Sequence, residues 1–326
     1  PNVLMFTGGT EHRPHILEFG ISLAGRNGML TNFDLVENPS APVLFPKNKE
    51  SVTDELLQRH GIFGKKIEVQ NIFKGIENIA STFGFSGIEP NTVLMGWAKN
   101  TKDPIWFAEM TRQLINLDLN VLYLDYDERY GFRDYKRIDI WWRGISNNAE
   151  LTLSICKFLH TSEKWRDAEI RIIMVNNTLQ EGFERKIHQK LDEYRIPATV
   201  KVLNNAIEKK DFYELLRNNS ADSSLIMVGI PPIPVGSEKA FVGTTSELFG
   251  VVGTTLLVKA SDLMGADVPA YELSKIGHAE ALQLKAISEE TLVLPSDELL
   301  AKEITQLQSE LHQVAESVSN NQLGSF

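Results

Sequence analysis

The sequence predicts an α/β fold: two tandem doubly wound halves, each with a largely parallel sheet, and a C-terminal helical tail. Three observations predict it. Short apolar runs rich in β-branched residues, without strict alternation, read as strands buried on both faces of a parallel sheet. Amphipathic segments lie between them, which is the βαβ pattern. The unit also occurs twice, at an offset of roughly 130–170 residues, a spacing that means a duplicated domain and not a short solenoid repeat.

The elements follow in chain order. Asn2 to Gly20 reads NVLMFTGGTEHRPHILEFG. Val3–Phe6 is a strand, Thr7-Gly8-Gly9-Thr10 a turn, and a helix begins near Pro14, whose fixed φ suits a first turn. Met29–Val36 and Thr92–Trp97 are further strands. Pro104 to Leu117 is helical, with Asp103 placed as N-cap, and Asn120–Asp125 is the next strand. The charged join Asp125–Arg137 carries Gly131. Strands are then expected at Ile138–Trp142, Ile170–Val175, Ala198–Leu203, Leu225–Ile230 and Thr254–Lys259. Glu181 to Tyr194 carries Phe183, Ile187, Leu191 and Tyr194 on one helical face. In the repeat, Thr92–Trp97 corresponds to Leu225–Ile230, Asn120–Asp125 to Thr254–Lys259, and Val3–Phe6 to Ile170–Val175. The halves are bounded at 1–128 and 136–260, with an extension at 261–326.

That extension changes character. Ser296 is a helix N-cap followed by acids. Leu300, Ile304, Leu307, Leu311, Val314 and Val318 then repeat at spacings of 4 and 3, a heptad seam over 297–318. Its flanking positions offer no complementary charges. The helix either packs on its own domain or pairs between chains, and Ser319–Phe326 is expected to fray.

Composition excludes several classes. A net charge of −10 over 326 residues argues against nucleic acid and anionic lipid as partners. The single cysteine, Cys156, rules out a disulfide framework and suits a reducing compartment, with Cys156 as a small core residue. The chain starts at Pro1 without methionine or signal peptide, so it reads as processed or as a piece of something longer. Its densest late apolar run, Val251–Val258, is too short for a bilayer span of about 20 residues, so this piece reads as soluble.

Catalytic and metal signals are poor. The seven histidines form no HExxH pattern, and His12 and His15 read as polar residues at a helix start. Neither a nucleophile elbow nor a GxxxxGK[ST] loop occurs. Gly8-Gly9 lacks the third glycine of a dinucleotide fingerprint and reads as a positive-φ turn. Gly229, Gly236, Gly243, Gly250 and Gly253 punctuate a segment that could cradle phosphate, but Pro231, Pro232 and Pro234 remove three donors there. No catalytic residue, cofactor or metal is expected, and Gly8, Gly9, Gly229 and Gly243 are the weak nucleotide candidates. The stretch RYGFRDYKRIDIWWRG, Arg129 to Gly144, interleaves five cations with five aromatic rings. It reads as a docking surface, with Arg137, Trp141, Trp142 and Arg143 as contact candidates beside Leu300, Ile304, Leu307 and Leu311. Because side chains alternate along a strand, one of Trp141 and Trp142 should be buried in the second half and the other should face a neighbouring element.

That stretch also carries a resemblance. Ile138-Asp139-Ile140-Trp141-Trp142, then Trp165 and Ile170-Arg171, match the Ile-Asp-x-Trp-Trp strand, Lys-x-Trp turn and Ile-Arg strand of the cation–chloride cotransporter C-terminal domain. RPHILEF (Arg13–Phe19), PNTVLMGW (Pro90–Trp97) and SSLIMVGIPPIP (Ser223–Pro234) are similar to further motifs of that family, in its order. The resemblance implies two universal-stress-protein-like halves on the cytosolic side of a membrane symporter for chloride with sodium, potassium or both. It implies a homodimer, and a regulatory role without catalysis. The chain lacks the family's long insertion between Leu203 and Ser223, and the heptad tail replaces the animal ending, so kinase control and the ion set do not carry over. The rival reading is a stress-protein-like nucleotide sensor.

Overall fold

The computed structural model describes residues 1–264, apart from 11, 26–27, 42–49, 52–54, 85–88, 99–100, 145, 177–182 and 263. The first half runs β1 (Asn2–Phe6), α1 (Pro14–Ala24), β2 (Met29–Glu37), β3 (Glu50–Ser51), α2 (Glu55–Arg59), β4 (Phe63–Val69), α3 (Ile72–Thr82), β5 (Thr92–Gly96), α4 (Pro104–Asn116) and β6 (Asn120–Asp125). The second runs β7 (Arg137–Trp142), α5 (Asn147–Leu159), β8 (Glu169–Asn176), α6 (Phe183–Tyr194), β9 (Ala198–Asn204), α7 (Phe212–Ser220), β10 (Leu225–Gly229), α8 (Glu238–Phe249) and β11 (Thr255–Lys259).

The duplication is plain in the strand order. Among the described residues eleven strands form one sheet, ordered β3-β4-β2-β1-β5-β6-β11-β10-β7-β8-β9. Each half contributes five parallel strands in the same internal order, third-second-first-fourth-fifth. The halves meet where β6 runs antiparallel to β11, with Asp125 opposite Thr255 and Val121 opposite Lys259. They are therefore not separate sheets but one continuous sheet whose polarity reverses at the seam.

This order corrects one correspondence. The counterpart of Val3–Phe6 is Ile138–Trp142, the first strand of the second half, and Ile170–Val175 answers to Met29–Val36. Two strands escaped the apolar-run criterion. β3 is two residues long, and β4 (FGKKIEV) carries Lys65, Lys66 and Glu68 near the sheet edge. The halves of the helical layer fall on opposite faces. Ile16 and Phe19 of α1 and Leu153 of α5 pack with Val3, Met5 and Trp142. Phe107 of α4, Leu216 of α7 and Phe241 of α8 pack with Leu4, Phe6 and Trp141 on the other.

Helix starts follow their local chemistry. Pro14 and Pro104 occupy the first turns of α1 and α4. Asp103 stands at the N-cap of α4, but its side chain makes no capping hydrogen bond, contrary to expectation. Asn71, Ser146 and Asp211 do cap, accepting from the backbone N–H of Lys74, Ala149 and Tyr213. Ile187 and Leu191 of the predicted α6 face are buried. Cys156 is a fully buried core residue, and burial pushes its thiol pKa up. The calls on 266–326, including Leu300, Ile304, Leu307 and Leu311, lie outside the described residues.

The seam yields a prediction. All six residues of β6 are buried, and in residues 1–128 alone that strand becomes a bare apolar edge. That fragment is expected to self-associate in sedimentation equilibrium, whereas a concentration-independent monomer would contradict the architecture.

Candidate ligand clefts and contact faces

In each half the strand order reverses direction between the first and fourth strands. Loops leaving the carboxyl ends of those two strands diverge and open a crevice. Because the halves run antiparallel, the two crevices lie at opposite ends of the sheet.

In the first half, β1 ends in a tight turn at Gly8 (φ 64°) and Gly9 (φ 101°). The Gly9 carbonyl accepts from the backbone N–H of His12 and of Arg13, each at 3.1 Å, which starts α1. Gly8-Gly9 is thus a strand-to-helix turn. The Arg13 guanidinium folds back over the strand ends, where glycines leave it room. A Cβ on Gly96 would lie 3.2 Å from Arg13 Nη1, and one on Gly8 3.9 Å from it. Beside Arg13 lies a cleft of about 710 Å³, walled by Phe6, Phe33, Phe73, Met95 and Phe107, with Glu37, Lys102 and Asp103 exposed along it. On its other side Arg13 borders a crevice of about 520 Å³ that reaches Asp127, Arg129 and Phe249 across the seam. His15 stacks on Tyr126 there, ring centroids 4.3 Å apart, and burial with the Arg13 charge holds its pKa below the ordinary value. That favours the neutral imidazole.

The second half carries a cleft of about 600 Å³ at the ends of β7 and β10, bordered by Arg143, Asn148, Phe212 and Ile230. The glycines of this half do not gather into one phosphate loop. Gly229 ends β10, close against Asn148 Nδ2; Gly236 is a turn at φ 89°; Gly243 lies inside α8, and Gly250 caps it. The nucleotide-loop candidates Gly229 and Gly243 are therefore separated by a proline-rich connection and half a helix.

The aromatic–basic stretch is also placed differently from the sequence reading. Trp141 and Trp142 do point to opposite faces, but both are 6% exposed and both are buried within the second half. Trp142 Nε1 donates to Thr152 Oγ1 of α5 at 3.1 Å, and Trp141 Nε1 to Ser220 Oγ of α7 at 3.0 Å. Neither can serve as a docking side chain, because helices cover both faces of β7. Phe132 is buried against Trp165, and Tyr135 donates to Glu18, which also pairs with Lys164 at 2.8 Å. The tryptophans and Phe132 are core and seam, but Tyr130 is 50% exposed with Arg129 and Arg133 over its ring, Arg143 is exposed, and Arg137 pairs loosely with Glu169 at 3.3 Å.

A charged cluster that sequence reasoning did not single out lies beneath Trp141. Asp139, fully buried on β7, takes a two-pronged contact from Arg171, with Nε to Oδ1 at 2.7 Å and Nη2 to Oδ2 at 2.6 Å. Ser220 and Ser223 donate to the same Oδ2 at 2.5 and 2.6 Å. Asp139 pairs in register with Arg171 across β7 and β8, so the Ile-Asp and Ile-Arg dipeptides were the available signal. Trp97, expected only as the end of a strand, proves to be the hub of the seam, ringed by Phe107, Tyr123, Phe241 and Phe249.

No family model and no curated protein matches the chain. Solved structures do. One is described as the cytoplasmic domain of a prokaryotic cation chloride cotransporter; it is 17% identical, with a TM-score of 0.59 over 83% of this chain and 98% of that one. Another is a universal stress protein from Archaeoglobus fulgidus DSM 4304, 13% identical, with a TM-score of 0.50 over 80% of this chain and 97% of that one. The fold is universal stress protein-like. In such a fold the crevices at the strand-order reversals are the natural places for a ligand, and both are open here. Among the described residues no helix is long and apolar enough to cross a membrane.

Proposed function

We propose that this chain is the cytosolic regulatory and dimerisation domain of a cation–chloride symporter and carries out no catalysis itself. The observation that supports this best is the likeness of its doubled fold to nearly the whole length of a cotransporter's cytoplasmic domain, in a chain whose motifs resemble that family in order. The Ile-Asp-Ile-Trp-Trp strand supports it further, because each of its side chains from Ile138 to Trp142 is buried. Two copies tethered to one membrane meet at high effective concentration, so a modest contact suffices for pairing. With Trp141 and Trp142 buried, that contact falls to the exposed part of the second half, Arg143 included, or to the tail.

The test uses the full-length gene product. Reconstituted in liposomes, it is expected to carry cation flux that requires chloride and generates no current, and removing the present chain should change the rate. A parent polypeptide without about a dozen spans of ~20 apolar residues, or without chloride-dependent flux, would end the reading. The rival reading, a nucleotide sensor, rests on the likeness to a universal stress protein, and the dispersed glycines of the second half speak against it.

A further inference from the structure

We propose that the first-half cleft binds a small aromatic monoanion, its ring against Phe33, Phe73 and Phe107 and its carboxylate on the Arg13 guanidinium. The proposal stands on the cleft itself and does not depend on the transporter reading.

Three observations carry it. First, Arg13 stands exposed at the mouth of the cleft, with no protein acceptor among the described residues. Among the described residues its guanidinium makes no hydrogen bond or ion pair, although it lies directly over Gly96 and beside Gly8 at the strand-order reversal. A side chain on Gly96 would meet it at 3.2 Å, so the notch that seats it depends on glycine at that position. Arg13 is exposed, and its planar guanidinium matches a carboxylate with two parallel hydrogen bonds.

Second, the wall beside it is aromatic. Phe73 and Phe107 meet edge to face with centroids 6.0 Å apart, and Phe33 lies on the neighbouring strand of the same face. Phe33 and Phe107 are buried behind the wall and Phe73 is the half-buried ring at its surface, so a flat ligand ring meets Phe73 first, where rings prefer offset or edge-to-face contacts. A cleft of about 710 Å³ is in the range that holds a small molecule.

Third, the lining carries no excess of positive charge that would favour a polyanion. Lys102, Glu37 and Asp103 line the same cleft, so Arg13 and Lys102 are matched there by two carboxylates. Of the three helices that start beside the cleft, α1 and α4 open on proline, and α3 opens on Ile72 with Asn71 as its cap. A single carboxylate is satisfied by the Arg13 fork.

The experiment is calorimetric titration of the whole chain with 1-naphthoate, 1-naphthalenemethanol and ATP, on the wild type and on Arg13→Gln. Arg13 makes no side-chain cap for α1, so the variant should melt as the wild type does. Saturable one-to-one binding of naphthoate is expected, weakened about tenfold or more in Arg13→Gln, as loss of a charged hydrogen bond implies. The neutral alcohol should bind more weakly and be indifferent to the substitution. Arg13→Lys, which keeps the charge and loses the fork, should fall between. Naphthoate binding that ignores Arg13, ATP binding tighter than naphthoate, or no saturable binding of naphthoate each overturns the proposal.

Discussion

Asp139→Ala is expected to destabilise the fold by about 3–5 kcal/mol, the range for breaking a buried ion pair by removing one partner. The carboxylate is fully buried and accepts from Arg171, Ser220 and Ser223 together. Without it, among the described residues the Arg171 guanidinium keeps its hydrogen bond to the Asn219 carbonyl, at 2.8 Å, and two buried hydroxyls lose this acceptor. Ser220 Oγ also receives Trp141 Nε1, so the loss spreads from β7 through α7 to an aromatic anchor of the core. Urea unfolding followed by tryptophan fluorescence measures it. Replacing both members, Asp139→Leu with Arg171→Met, should recover part of the loss, because no charge is then left buried alone. A single Asp139→Ala that costs under 1 kcal/mol would show that the cluster is not a structural anchor.

The same cluster shows what the sequence could and could not reveal. Strands such as Asn120–Asp125 were legible because burial on both faces leaves an unbroken apolar run. β4 was not, because a strand near the edge keeps lysines and a glutamate on its accessible positions. The repeat was legible as recurrence, but its phase was not. Val3–Phe6 and Ile170–Val175 are both short apolar strands, and only the pairing order shows which one stands first in its half. The aromatic stretch misled for a related reason. Trp, Tyr and Arg are enriched at docking surfaces, and large rings are equally a payload of a buried core, as Trp141 and Trp142 are here. Position in the sheet decides between the two, and composition carries no such information. Arg13 was visible only as the residue before a helix-starting proline; its seat depends on Gly96, far away in sequence and adjacent across β1 and β5.

Trp97→Ala should cost about as much as the loss at Asp139, roughly 3–5 kcal/mol, by opening a cavity where the halves join. The indole is 6% exposed, and its nearest rings come from both halves: Phe107 and Tyr123 at 4.9 and 5.3 Å, Phe249 and Phe241 at 5.3 and 5.8 Å. Its Nε1 donates to Ser246 Oγ of α8 at 3.1 Å, so the same side chain also ties β5 to the second half by a hydrogen bond. On this face α4 also packs on α8, and Arg112 pairs with Glu238 at 2.6 Å, with a guanidinium partly open to solvent and correspondingly weaker. The natural control is Trp106→Ala, on the same helix as Phe107 but 40% exposed, where a change within about 0.5 kcal/mol is expected. Thermal unfolding of the three proteins at one concentration separates them. A loss at Trp97 no larger than at Trp106 would mean that the β6–β11 pairing alone holds the halves together. A large loss at Trp97 with little at Trp106 would mean that the seam is a packed core in its own right, so that strain introduced in one half is felt in the other.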